Sequence, residues 1–344
     1  MKRLLALVTM LAMLATAVFG CAAPAAPAAA GAPEQAAAPA DGSDVEITWM
    51  FWDDLEATTD LITKGYKEVI DRYNAADNGY HCNVVTSNLE EYDTKLNALI
   101  AGGQTPDIWI CNPGPNHAQY VNAGVAMDLT DILQNQNADW YSTFSGGMFD
   151  RLIYDGKIYA VPTCFAAACC YYNTEIFKEC GVEVPTTFDE LIKVCEAIEA
   201  KGYTALTCSA GTPWCLSMVA GYLCDRNGGP DNLNAVLSGS GKWTDASFVN
   251  AANQLVALSK HFQPTAAADN NDECTQQFYS GKAAMLIQGS WAIGQMNGAQ
   301  PDFEDKCGVF QFPAVEGGSD PNRLIVKTDN LVVSAKNSAS RRCC

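Results

Sequence analysis

Basic residues are scarce in this sequence. Lysine and arginine number 21 against 39 aspartates and glutamates, a formal net charge of −18. A nucleic-acid or anionic-membrane surface needs a basic patch, so the balance argues against both. Histidine is rarer still. His81, His117 and His261 are scattered without metal-ligand spacing, which argues against a zinc or iron site. No G-x-S-x-G and no H-E-x-x-H occurs, so the usual serine-hydrolase and zincin templates fail. Asn112-Pro113-Gly114-Pro115 has one glycine and no Lys–Ser/Thr pair, so it is not a phosphate loop. Asp269–Glu273 has carboxylates but lacks the glycine and distal glutamate of an EF-hand, and reads as a solvated loop. Cysteine is plentiful at 15 residues, yet no C-x-x-C pair is present. Cys111, Cys169-Cys170, Cys195 and Cys208 sit inside apolar runs. They read as mostly free, buried thiols acting as small hydrophobes.

What is present is enough for packed globular structure. At 344 residues and 48% hydrophobic content, two domains are expected. Residues 1–20 read as a secretory signal, with Lys2 and Arg3 ahead of the apolar Leu4–Phe19. Val18-Phe19-Gly20-Cys21 resembles a bacterial lipobox with a bulky Phe19. Acyl chains on Cys21 would hold the mature chain to a membrane. Residues 21–44 are rich in alanine and proline, too poor in large apolar side chains to fold, and read as a lipid-anchored tether.

Folded structure is expected from Val45. Val45–Phe51, Asn83–Thr86 and Asp107–Cys111 read as strands. Helical spacing lies between them in Leu61–Tyr73 and behind the capping pattern Asn88-x-x-Glu91. Strand-helix-strand-helix-strand implies a parallel sheet. Its carboxyl edge should carry Phe51-Trp52-Asp53-Asp54 and Asn112. Asn112 is either an amide offered to a ligand or part of a plain turn. Asp155-Gly156 reads as a hairpin turn. Phe165–Tyr172 is an unalternating apolar strand, buried on both faces. Thr187-x-x-Glu190 caps a further helix. Ala205–Cys208 is a strand, and Trp214 is expected in the loop behind it. Asn227–Gly241 reads as a loop, Phe248–Leu258 as a helix, and Val309–Phe312 as a return crossing.

The stretch Cys274–Met296 is the most informative. Phe278 and Tyr279 end a polar helical segment, Gly281 stops it, and Ala283–Ile287 has strand length. Trp291 then stands at the strand's carboxyl end. Read alone, it is either a core residue or a flat platform for a ligand. The segment resembles the F-x-x-GKAAM-x-x-x-G-x-W signature of family 1 extracellular solute-binding proteins, the sugar receptors of ABC importers. YDGKIYAVP…YYN, at Tyr154–Asn173, resembles the segment where that family crosses between lobes.

The resemblance implies an α/β, two-lobe periplasmic-binding-protein-like (type II) fold with hinge crossings. It implies an N-terminal lobe of residues 45–163 plus 318–344 and a C-terminal lobe of residues 164–317. The family continues with further C-terminal helices, so the tail from Asn337 looks truncated. The implied function is capture of a sugar, an oligosaccharide above all, by an extracytoplasmic lipoprotein that delivers it to the permease subunits of an ABC importer. No cofactor, metal or catalysis is expected, and the receptor is expected to be a monomer. Trp52, Phe165, Trp214 and Trp291 would stack on sugar rings; Asp53 and Asn112 would take hydroxyls. Maltose-binding-type members have Asp-Lys after the first strand and a glutamate after the first crossing; here those places hold Asp53-Asp54 and Ala166, so maltose itself is disfavoured. The alternatives are a receptor for a polyamine or peptide, or an exported carbohydrate-active enzyme. The enzyme needs two carboxylates facing across one bond, and neighbours such as Asp53 and Asp54 point to opposite faces of a strand.

Overall fold

The computed structural model describes residues 44–336, apart from 59 and 77. The signal, Cys21, the tether up to residue 43 and the tail from residue 337 lie outside the described residues.

The chain opens with three parallel strands separated by helices: β1 (Val45–Phe51), α1 (Leu61–Asn74), β2 (Tyr80–Thr86), α2 (Leu89–Ala101) and β3 (Ile108–Cys111). β1 pairs with β2 on one side and β3 on the other, parallel in both cases, as the sequence pattern predicts. Asn88 caps α2 by accepting from the Glu91 N–H. That cap fixes the turn carrying Tyr92, which is buried and donates its hydroxyl to Met50 O and Ile110 O. One phenol thus ties the ends of β1 and β3 to α2. α3 (Pro115–Asn122) follows β3 through Gly114, whose φ of 101° is costly for any side chain. The expected hairpin joins β4 (Ile153–Tyr154) to β5 (Lys157–Ile158), with Asp155 at φ 49° and Gly156 at φ 77°.

β6 (Val161–Asn173) is the hub of the sheet. Its first part pairs antiparallel with β10 (Val326–Val333), which in turn pairs with β3. Its second part pairs antiparallel with β8 (Ala283–Gly289) and β9 (Cys307–Phe310), and β7 (Thr204–Thr207) runs parallel to β8. The main order is β2-β1-β3-β10-β6-β8-β7. Between these strands lie α4 (Thr174–Cys180), α5 (Phe188–Glu199), α6 (Pro213–Leu237), α7 (Ala246–Ser259), α8 (Asn271–Tyr279) and α9 (Ala292–Ala299).

Four readings need correction. Phe165–Tyr172 is not buried on both faces: Ala166, Ala168 and Cys170 are buried on one face, whereas on the other Phe165 is exposed and Ala167 and Cys169 are half-buried. Val309–Phe312 is not a crossing: β9 pairs with Cys170–Asn173, and the chain returns later, where Val326–Asp329 pair with Cys164–Ala167. Asn227–Gly241 is largely helical, because Gly229 breaks the path at φ 69° and Pro230 restarts a turn that needs no N–H. Asp269–Glu273 is a helix start: Asn270 and Glu273 form a capping box on α8.

Two large cores result, with a smaller third cluster of Tyr171, Phe278, Leu286, Ala292, Met296 and Phe303 beside the second. The first packs Trp49, Phe51, Tyr92, Leu96, Trp109 and Tyr120 around β1 and β3. The second packs Phe177, Leu191, Ile198, Leu206, Leu223 and Ile287 around β7 and β8. Cys111, Cys195, Cys208 and Cys215 are buried free thiols, and burial pushes each up to about 12. They are inert hydrophobes in that state.

Candidate functional site

The ends of β1 and β8 bring two tryptophans from different cores to one place. Trp52 follows β1. Its ring meets the Tyr92 ring edge-on at 5.6 Å and tilts against Phe51 at 6.4 Å. Trp291 follows β8 and begins α9. Tyr171 donates its hydroxyl to Gly289 O, and the Ser290 N–H bonds to Ala167 O, so the turn is pinned to β6. Gly289 lets the indole fold back: a Cβ there would lie 2.1 Å from its ring carbons. Trp214 stands edge-on to Trp291 at 5.7 Å. It lies in the first turn of α6, not in a free loop.

Between the two indoles sits the Lys327 ammonium, 5.2 Å from the Trp52 ring centre and 5.0 Å from that of Trp291. Lys327 lies on β10 opposite Ala166. Its Nζ is 2.7 Å from Asp329 Oδ1, an ion pair without hydrogen-bond alignment. Asp329 is 6% exposed and its Oδ2 accepts from the Cys164 thiol at 3.0 Å. Burial and the nearby Asp329 carboxylate push that thiol up to about 12. Thr163 donates to Asp329 O, and Tyr66 shares a short hydrogen bond with Thr163. α9 also comes close to α1 here: a Cβ on Gly294 would lie 3.3 Å from Leu61 N and Cγ.

The remaining expected residues are placed less simply. Asp53 is half-buried, and its carboxylate already accepts from the Asp54 N–H, the Thr58 hydroxyl and the Thr63 hydroxyl. It organises the entry to α1. Asn112 is exposed at the end of β3, on the sheet edge that carries Trp52. Phe165 is 57% exposed and faces Thr328 across β6 and β10. Neighbouring strand positions alternate between faces, so Phe165 stands on the face opposite Cys164, Ala166 and Lys327. It makes no aromatic contact among the described residues. Reasoning from sequence missed Lys327, Asp329, Tyr66 and Thr163. A lysine and an aspartate two apart, hence on one face of the strand VKTDNLVV, are the signal that was available.

Residues 59–340 match the sequence profile of the family described as bacterial extracellular solute-binding protein. The chain belongs to that family. This solute-binding protein is 25% identical over 271 residues to a multiple sugar-binding protein of Streptococcus mutans, covering 73% of this chain and 59% of that one. It is 26% identical over 224 residues to an ABC transporter extracellular-binding protein of Pyrococcus horikoshii, covering 64% and 50%. It therefore spans about half to three-fifths of those relatives. A solved structure from work on xylan utilization by Caldanaerobius polysaccharolyticus superposes with a TM-score of 0.79 at 28% identity, over 87% of this chain and 76% of that one. A chitin oligosaccharide binding protein superposes at 0.75 with 26% identity, over 87% and 74%. The fold is the two-lobe α/β fold of these solute-binding proteins.

Proposed function

We propose that this chain is the sugar-capturing receptor of an ABC importer and takes an oligosaccharide between its two lobes. One observation carries the reading. Trp52 and Trp291, anchored in different cores, both lie within cation–π distance of one side chain, Lys327, on the strand pair that joins those cores, and the space it fills is the slot. A pyranose presents apolar C–H faces, and indole faces suit them. Trp214 extends the platform on the second lobe, and Asn112 supplies donor and acceptor on the first. Asp53 has lone pairs left for a hydroxyl. Phe165 is assigned to the opposite face, outside the slot.

The first lobe is proposed as residues 45–163 with the strand from Val326, and the second as residues 164–325. The later boundary rests on Ser319 and Arg323, which bond to Asp225 of α6. Cys21 is proposed as the lipid anchor, and a membrane permease as the partner that reads the closed state. Hinge bending at β6 and β10 would close the lobes, because only a ligand touching both can shift that balance.

A thermal-shift panel tests the function. A ligand that binds only the folded state raises its melting temperature. The lipid-free protein should respond to at least one of a set of xylo-, chito-, malto- and galacto-oligosaccharides. A response to spermidine or a peptide alone, or release of shorter sugars on incubation, would overturn the reading.

A further inference from the structure

We infer that the Trp52–Trp291 slot is an ammonium cage occupied by the chain's own Lys327, so that a sugar ring enters by displacing it. The inference rests on the sugar-receptor reading only for the identity of the displacing ligand; the cage stands on its geometry. The cage has three walls. The indoles of Trp52 and Trp291 each lie about one cation–π distance from Nζ. The third wall is Asp329, buried and 2.7 Å from Nζ. Aromatic faces plus a carboxylate are the chemistry that recognises an alkylammonium ion.

The occupant is not locked in. The Lys327 side chain keeps 37% of its surface exposed, against 9% for that of Asp329. The ion pair lacks hydrogen-bond alignment, and a lysine stem has four carbons of reach. Swinging outward would return the ammonium to water and leave both indole faces open. The ring centres can be no farther apart than the sum of their two distances to Nζ. The ammonium and a stacked ring therefore compete for one space. Lys327 thus holds the two indoles together in the empty receptor and sets a threshold that a ligand must exceed. Ligands too small to cover an indole face gain too little to displace it.

Chemical complementation tests the cage without knowing the sugar. Lys327→Ala empties it, and propylammonium chloride is the probe, with equimolar sodium chloride and propanol as controls. The expected result is a melting temperature for Lys327→Ala that climbs with propylammonium, by about 2–4 °C at ten times its Kd. Neither control reproduces the rise, and the wild-type protein, its cage filled, does not respond. No rise in Lys327→Ala, or an equal rise in wild type, overturns the inference. Lys327→Met keeps the stem and loses the charge. If Lys327→Ala fails to fold while Lys327→Met folds, the exchange is also overturned, because a displaceable side chain cannot be required for the fold. Complementation with no response to any sugar would leave the cage standing and remove the sugar reading; the reverse pattern would do the opposite.

Discussion

The two cores are held together by different means. The first relies on aromatic bulk and accepts polar loose ends: Trp49 Nε1, Trp109 Nε1, Asp107 Oδ1 and His117 Nδ1 are buried without a protein partner. The second is built on smaller side chains and an ionic clasp. Arg226, fully buried, stands 2.5 Å from Asp225, donates to Phe312 O and Arg323 O, and lies over the stacked rings of Tyr222 and Phe312. Arg323 adds a second bond to Asp225 at 2.9 Å. The difference follows from what each half must restrain. The first fixes its working edge through strand ends and Tyr92. The second must also fasten residues 311–325, a stretch without strand or helix that leads back to β10. Charge and hydrogen bonds hold a segment too irregular to bury a regular apolar face.

Breaking the clasp should give the largest effect. Asp225→Ala leaves buried Arg226 without its counter-ion, and removing one partner of a buried pair costs about 3–5 kcal/mol. Urea unfolding should show that loss. A cost below about 1 kcal/mol, as for exposed pairs, would mean that the clasp is ornamental. Gly289→Ala comes next. Its Cβ would intrude on the Trp291 ring, and overpacking costs about 1–3 kcal/mol. Altered tryptophan emission with weakened sugar binding is expected; an unchanged spectrum would show that the indole has room to move.

The first core should be the more sensitive to acid. Burial lowers the pKa of His117 below 6.5, outweighing its contact with Tyr159 O. The unfolded chain then binds a proton that the folded chain refuses. Stability contributed by neutral His117 is complete above about pH 6.5 and is lost as pH falls toward its folded value, at no more than about 1.4 kcal/mol per pH unit. His117→Gln should flatten the difference in melting temperature between pH 7 and pH 5 relative to wild type. Identical slopes would remove His117 from the account.

Much of this was legible in the sequence. Apolar spacing separated β1, α1, β2, α2 and β3, and the Phe278–Trp291 stretch placed Trp291 at the end of β8. What was not legible depended on pairing between distant residues. Nothing in Val309–Phe312 says that it pairs with the far end of β6, or that Val326–Asp329 pair with the near end. Lys327 offers only its spacing from Asp329: a lysine in a strand reads as a solvated side chain until two tryptophans 239 positions apart in the chain are both seen within cation–π distance of it. Asp53 reads as a free ligand group, and its commitment to Thr58 and Thr63 appears only once the turn before α1 is folded. Trp214 looked like a loop residue because it closely follows the strand Ala205–Cys208, yet Pro213 is at home in the first turn of a helix.

The central claim is that one sugar is held by both halves. The direct measurement is calorimetric titration of the sugar with the largest thermal shift into wild type, Trp52→Ala and Trp291→Ala. Each substitution is expected to weaken binding by about 1–3 kcal/mol, on the scale of a lost stacking contact, while both variants stay folded. Weakening in Trp291→Ala with an unchanged Kd in Trp52→Ala would contradict the account, because the sugar would then be held by the second half alone.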